Sequence, residues 1–156
     1  MARRREPEDE PQAAPRVVQE RRALRELLAI CRQADALLGA FSCPKSGECC
    51  RLAQTRREPF LLPLERLALV QALARQGRPM PLKRPDGACA LLDASGLRCS
   101  IYPDRPFGCR TFFCARGQGR SVPSAALHAL SARLTRASDG LEADGEPTPI
   151  SRLFGS

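Results

Sequence analysis

Three stretches of the chain carry apolar residues at helical spacing. Between residues 16 and 39, Val17, Leu24, Leu27, Leu28, Cys31, Ala34, Leu37 and Leu38 recur at three- and four-residue intervals. That pattern predicts an amphipathic helix over 16–39, with Gly39 as its stop. A second helix is predicted over 63–76. Leu64, Leu67, Ala68, Leu69, Val70, Ala72 and Leu73 give it a broad apolar face, and Gly77 follows. Pro63 suits the first turn, where a missing N–H costs nothing, and Glu65 lies near the positive end of the helix dipole. Leu127, Leu130 and Leu134 mark a third helix, capped by Ser121 or Ser124 and running to about Arg136.

Between these helices the period is lost. Residues 41–57 read as a loop, 59–62 as a short extended piece, 78–88 as a Pro-rich connector and 103–119 as a further loop. Residues 89–92 and 97–102 are candidate strands of a short hairpin around a turn at 93–96. Residues 1–15 are charged and aperiodic and are expected to be disordered. Residues 139–156, acidic and then Pro-containing, are expected to form a flexible tail.

Composition narrows this picture. The 156 residues suit one domain, and with six Phe, one Tyr and no Trp its core must be aliphatic and modest. Eight cysteines in so small a chain point to cross-links or metal as a source of stability. The formal charge of +8 is almost all arginine, since Lys45 and Lys83 are the only lysines. A basic balance permits contact with nucleic acid or a membrane surface, but thiolates that bind metal would offset much of it. The opening MARRREPEDEPQ has a positive run with no apolar region after it, so it does not read as a secretory signal. No stretch approaches the length of a membrane span. A cytoplasmic protein is expected, and there thiols are ligands or reactive groups more often than disulfides.

Cys31 falls on the apolar stripe of the first helix and reads as a small hydrophobe. The other seven, Cys43, Cys49, Cys50, Cys89, Cys99, Cys109 and Cys114, lie in the aperiodic stretches and are the candidate metal ligands. No C-x-x-C occurs, which disfavours a thioredoxin-type pair and zinc-ribbon knuckles. The single histidine, His128, lies on the third helix and reads as a surface residue. An all-thiolate site favours zinc, an iron–sulfur cluster or copper(I) over magnesium, calcium or manganese. Seven thiolates exceed one tetrahedral ion. Adjacent side chains usually diverge, so Cys49 and Cys50 are expected to reach two metals or two corners of a cluster. Gly47 allows a tight turn before them. Arg105 and Arg110 are candidates to compensate thiolate charge or to hold an anionic substrate or cofactor.

The order of these residues resembles a known family. A cysteine group ending in Cys49–Cys50 is followed by a helix, Cys89-Ala-Leu-Leu, Cys99-Ser-Ile-Tyr, Arg105-Pro106 and Cys109-Arg110. This is similar to the CxxCxxCC cysteine-cluster family of zinc- or iron-chelating domains, over about residues 41–116. The resemblance implies a small bacterial protein that chelates zinc or iron, with a 4Fe–4S cluster as one form of the iron. A similar motif occurs in flagellin lysine N-methylases. In this chain Ser46 stands where the family pattern has a cysteine, and Cys114 is the candidate replacement.

The expected fold is mainly α: a small, irregular, metal-stabilised domain of two or three helices with long cysteine-bearing loops and one short hairpin. Its organisation is expected to be a tail at 1–15, the amphipathic helix at 16–39, the cysteine-cluster domain with its C-terminal helix at 40–138, and a tail at 139–156. The first functional expectation is a thiolate metal-binding protein without catalysis, with helix 16–39 available to a protein partner. The second is an iron–sulfur-dependent protein-modification enzyme or subunit. It lacks support outside the cysteines, where no Gly-rich phosphate loop or paired carboxylates occur. The third is a basic zinc module for nucleic acid, against which few aromatics and the absence of zinc-finger spacing argue.

Overall fold

The computed structural model describes residues 15–41, 44, 46–111, 122–141 and 145–155. The fold is mainly α. Helix α1 spans Pro15–Leu37, α3 spans Pro63–Arg75 and α5 spans Ser124–Ser138, with single-turn helices α2 at Leu52–Thr55 and α4 at Phe107–Arg110. Strands β1, Phe60–Leu61, and β2, Thr148–Pro149, form the two-stranded antiparallel sheet, with Phe60 opposite Pro149 and Leu61 opposite Thr148.

Two apolar clusters hold these elements. In the first, Ala23, Leu27, Ile30, Cys31 and Ala34 of α1 pack against Leu127, Leu130 and Leu134 of α5, with Leu64 and Phe107 at one side. The spacing of these residues at i, i+4, i+7, i+8 and i+11 puts them on one helical face. Arg133 crosses the same interface to Glu26 at 2.6 Å and to Gln33 at 2.7 Å. Much of the apolar stripe of α1 is therefore covered inside the chain, by the neighbour with the matching leucine row, while Val17, Leu28 and Leu37 stay exposed.

The second cluster contains Leu61, Leu69, Leu73, Leu91, Ile101, Ile150, Phe154 and Cys89, with Cys50, Cys99 and Cys109 packed against it. Helix α3 serves both clusters, through Leu64 at its first turn and Leu69 and Leu73 beyond. The cysteines thus form one edge of an aliphatic core.

Two expectations need correction. The hairpin shrinks to a turn with one bridge, Leu92 to Cys99, secured by Asp93 N–H to Arg98 C=O at 2.8 Å and Ser100 N–H to Leu91 C=O at 2.7 Å. The chain then turns away at the 3-10 helix Tyr102–Asp104 because Ile101 must enter the core. The tail expected at 139–156 is also built into the fold from residue 148 onward. β2 pairs with β1, the Ser151 N–H donates to Glu58 Oε1 at 2.6 Å, and the Lys83 N–H donates to Gly155 C=O at 2.8 Å. Ile150 and Phe154 are 1% and 4% exposed. Two apolar residues in an aperiodic segment carry no helical or strand signal, so only the distant core they fill reveals them.

Phe154→Ala is expected to lower stability by about 3 kcal/mol, the usual cost of emptying a buried phenylalanine site. Denaturant unfolding checks this, and an unchanged midpoint would mean that the C-terminal segment is a tail after all.

Candidate metal centre

The site begins with a glycine. Gly47 has φ +69°, in the left-handed region, and is buried against the backbone of Gly96, where a Cβ would collide with the Gly96 carbonyl oxygen. Side chains are disfavoured there on both counts. The turn opens the 3-10 helix Glu48–Cys50, whose first N–H is met by the Ser46 hydroxyl at 3.4 Å. Ser46 thus supports the turn that carries the tandem cysteines. The segment is then stitched to the next cysteine by the backbone, as the Cys89 N–H donates to Cys50 C=O at 2.7 Å. The Leu92–Cys99 bridge sets Cys99 alongside.

These contacts gather four sulfurs. Cys50 is the hub, with its sulfur 4.0 Å from that of Cys49 and near enough to the thiols of Cys89 and Cys99 for their titrations to be linked to its own. The tandem cysteines, expected to diverge, converge because the tight 3-10 turn replaces an extended backbone. A spacing of 4.0 Å is close to the edge of a thiolate tetrahedron around zinc, about 3.8 Å for a Zn–S bond of about 2.3 Å. Cys109, on α4, lies half-buried beside the group and feels the charges of Cys49, Cys89 and Cys99. Among the described residues no three His, Cys, Asp or Glu side chains yet surround a common point closely enough to hold an ion. Cys43 and Cys114 lie outside the described residues, so the replacement of the Ser46 position by Cys114 does too. All six described cysteines are free thiols.

The electrostatics follow from the crowding. A hydrogen bond from Cys50, assisted by the charge of Arg105, lowers the Cys49 pKa to about 7. The same donor lowers those of Cys89 and Cys99, while the shared proton and burial drive Cys50 strongly up. Burial and the neighbouring thiolates raise Cys109 well above the usual range. The first protons leave easily and the last are held, as expected of like charges confined together. A bound divalent cation would remove that repulsion. The hydroxyl of Ser100, next to Cys99, is buried with no hydrogen-bond partner among the described residues, and such a donor suits an outer contact to a metal-bound sulfur. Donor chemistry, pairwise spacing and the orphaned hydroxyl all fit a thiolate-bound zinc or iron.

Arg105 and Arg110 take different places. Arg105 stacks over the Tyr102 ring at 4.0 Å, donates to Tyr102 C=O at 2.9 Å and lowers the pKa values of Cys49 and Cys99. It is placed to compensate thiolate charge. Arg110 is turned inward, with donors on Asp35 of α1, Pro103 C=O and Arg105 C=O, and its side chain is only 7% exposed. It locks α4 to α1 and presents no face to a substrate. Cys31 lies in the first core, where burial raises its thiol pKa, and His128 is exposed.

The sequence places Glu65 at a helix start but gives no sign of its second role. Glu65 is 4% exposed, and its carboxylate accepts the Leu62 N–H at 3.0 Å and the Phe107 N–H at 2.8 Å. It ties the start of α3 to the start of α4, the turn that carries Cys109. Burial pushes its carboxyl up against the pull of the two amides. A glutamate at the third helical position signals a local cap. Nothing in the sequence signals the second partner, 42 residues away.

Gly47→Ala is expected to cost at least about 2 kcal/mol, from left-handed strain and the clash with Gly96, and to lower metal content in parallel. Unfolding and metal analysis of the purified variant check both. In the metal-free reduced protein, Cys49 is expected to alkylate with a midpoint near pH 7, with Cys31 and Cys109 following only at higher pH. Mass spectrometry across a pH series would expose the error if all three reacted together.

The cysteine order and its geometry agree with one comparison. A family model, CxxCxxCC, described as "Putative zinc- or iron-chelating domain", matches residues 42–126, more than half of the chain. No curated protein and no solved structure matches it. The chain belongs to the CxxCxxCC family of zinc- or iron-chelating domains.

Proposed function

We propose that the protein holds a zinc or iron ion through Cys49, Cys50, Cys89 and Cys99, with Cys109 as a neighbouring ligand, and that the centre serves structure or metal handling rather than catalysis. The observation that carries this reading is the approach of the Cys49, Cys89 and Cys99 thiols to Cys50, with Cys49 at 4.0 Å, next to a buried hydroxyl without a partner among the described residues. Cys43 and Cys114 complete the proposed donor set from the adjoining segments. Because these sulfurs edge the second core, the ion would add directly to folding free energy. Family membership supports zinc or iron chelation. The residue assignment and the absence of catalysis are the reading proposed here. The alternative reading is an iron–sulfur cluster on the same thiolates, with one iron open to a cofactor, in an enzyme or enzyme subunit.

Anaerobic purification with metal analysis, acid-labile sulfide analysis and a visible spectrum tests the proposal. The expected outcome is bound zinc or iron that is largely lost in Cys50→Ser and kept in Cys31→Ser. Metal-free protein, or equal losses in the two variants, would overturn it. Labile sulfide with a cluster absorption band would instead point to the enzyme form. Chelation is expected to increase hydrogen exchange in the second core, around Leu91 and Ile101, more than between α1 and α5.

A further inference from the structure

A cavity of about 400 Å³ shares Cys89 with the cysteine group. Its inner wall includes Cys89 and Phe154, 5% and 4% exposed, and Leu52 contributes further apolar surface. Arg56, Lys83 and Arg84 also line it. Arg84 is engaged with Asp86 and with Leu92 C=O. The side chains of Arg56 and Lys83 make no hydrogen bond or ion pair among the described residues. Of the lining, Glu58 is the carboxylate, and its Oε1 is taken by the Ser151 amide. The rim is therefore net positive, with two cations uncommitted. Low-dielectric walls around such a rim concentrate anions.

Arg56 adds a second, independent observation. At φ +51° it is the one non-glycine residue with positive φ among the described residues, and it ends the single-turn helix α2. Glycine is the default at that place. An arginine there holds its backbone at a cost of about 1–2 kcal/mol, and strain of this kind clusters at ligand sites.

We propose that this cavity binds a small molecule bearing an oxyanion, a carboxylate or a phosphate ester. Its charged group pairs with Arg56 and Lys83, and its body lies against Phe154 and Leu52. The volume suits a ligand of metabolite size, and guanidinium and ammonium groups together suit either oxyanion. The cavity shares Cys89 with the proposed metal centre, but its two anion-pairing residues, Arg56 and Lys83, are not among the proposed metal ligands.

The test uses the full chain as purified, with phenyl phosphate, benzoate and neutral benzyl alcohol as probes, followed by heteronuclear NMR. Saturable shifts around residues 52–58, 83–89 and 151–154 with either anion, and none with benzyl alcohol, are expected. The anion that binds identifies the oxyanion class. Lys83→Gln is expected to weaken binding about tenfold, equivalent to about 1.4 kcal/mol, with metal content unchanged. Arg56→Gly is expected to weaken it similarly while raising the melting temperature, because it relieves the left-handed strain. No saturable binding, equal binding of benzyl alcohol, or undiminished binding in both variants would overturn the proposal.

Discussion

The cysteine site depends on one short backbone contact, the hydrogen bond from the Cys89 N–H to the Cys50 carbonyl at 2.7 Å. It joins two segments separated by the whole of α2, β1 and α3 and fixes the register in which their side chains meet. Gly47 seated on Gly96 supplies the second point of attachment between these segments. The thiols of Cys49, Cys50, Cys89 and Cys99 then have little choice but to share one small volume. Ionised, they repel one another. The fold tolerates them together through a retained proton on Cys50 and the nearby charge of Arg105. That is the electrostatic setting in which a divalent cation has the most to contribute.

The arginine excess divides into distinct uses. Arg105 and Arg110 both reach Asp35 of α1, and Arg110 also closes on two carbonyls of its own loop. These contacts and the buried Glu65 hold the turn bearing Cys109 from opposite sides. The arginine beside the sulfurs modulates their charge, while the next one secures the scaffold. Arg56 belongs to neither group and faces the cavity instead.

Two small clusters in place of one large core suit a chain with few aromatics. The α1–α5 cluster is a leucine-rich helical interface set mainly by periodicity, with Leu64, Phe107 and Leu141 added at its side. The second is assembled from short, distant pieces, Leu61, Leu91, Ile101, Ile150 and Phe154, with the cysteines at its edge. A cluster of that kind loses much loop entropy on forming, which is where a metal cross-link contributes most.

The three long helices, the glycine turn before the tandem cysteines, the family and its metal-chelating character were all legible in the sequence. They rest on local signals: helical periodicity, stop glycines and an ordered set of thiols. The convergence of Cys49 and Cys50 was not legible, because the 3-10 turn that aims them is held by Gly96, far along the chain. The second partner of Glu65, the inward turn of Arg110 and the seating of Ile150 and Phe154 were hidden for the same reason. Each is a contact between residues remote in sequence, whose geometry exists only once two independent segments have packed. Local chemistry determined which residues could bind a metal, and tertiary packing decided which of the described ones meet.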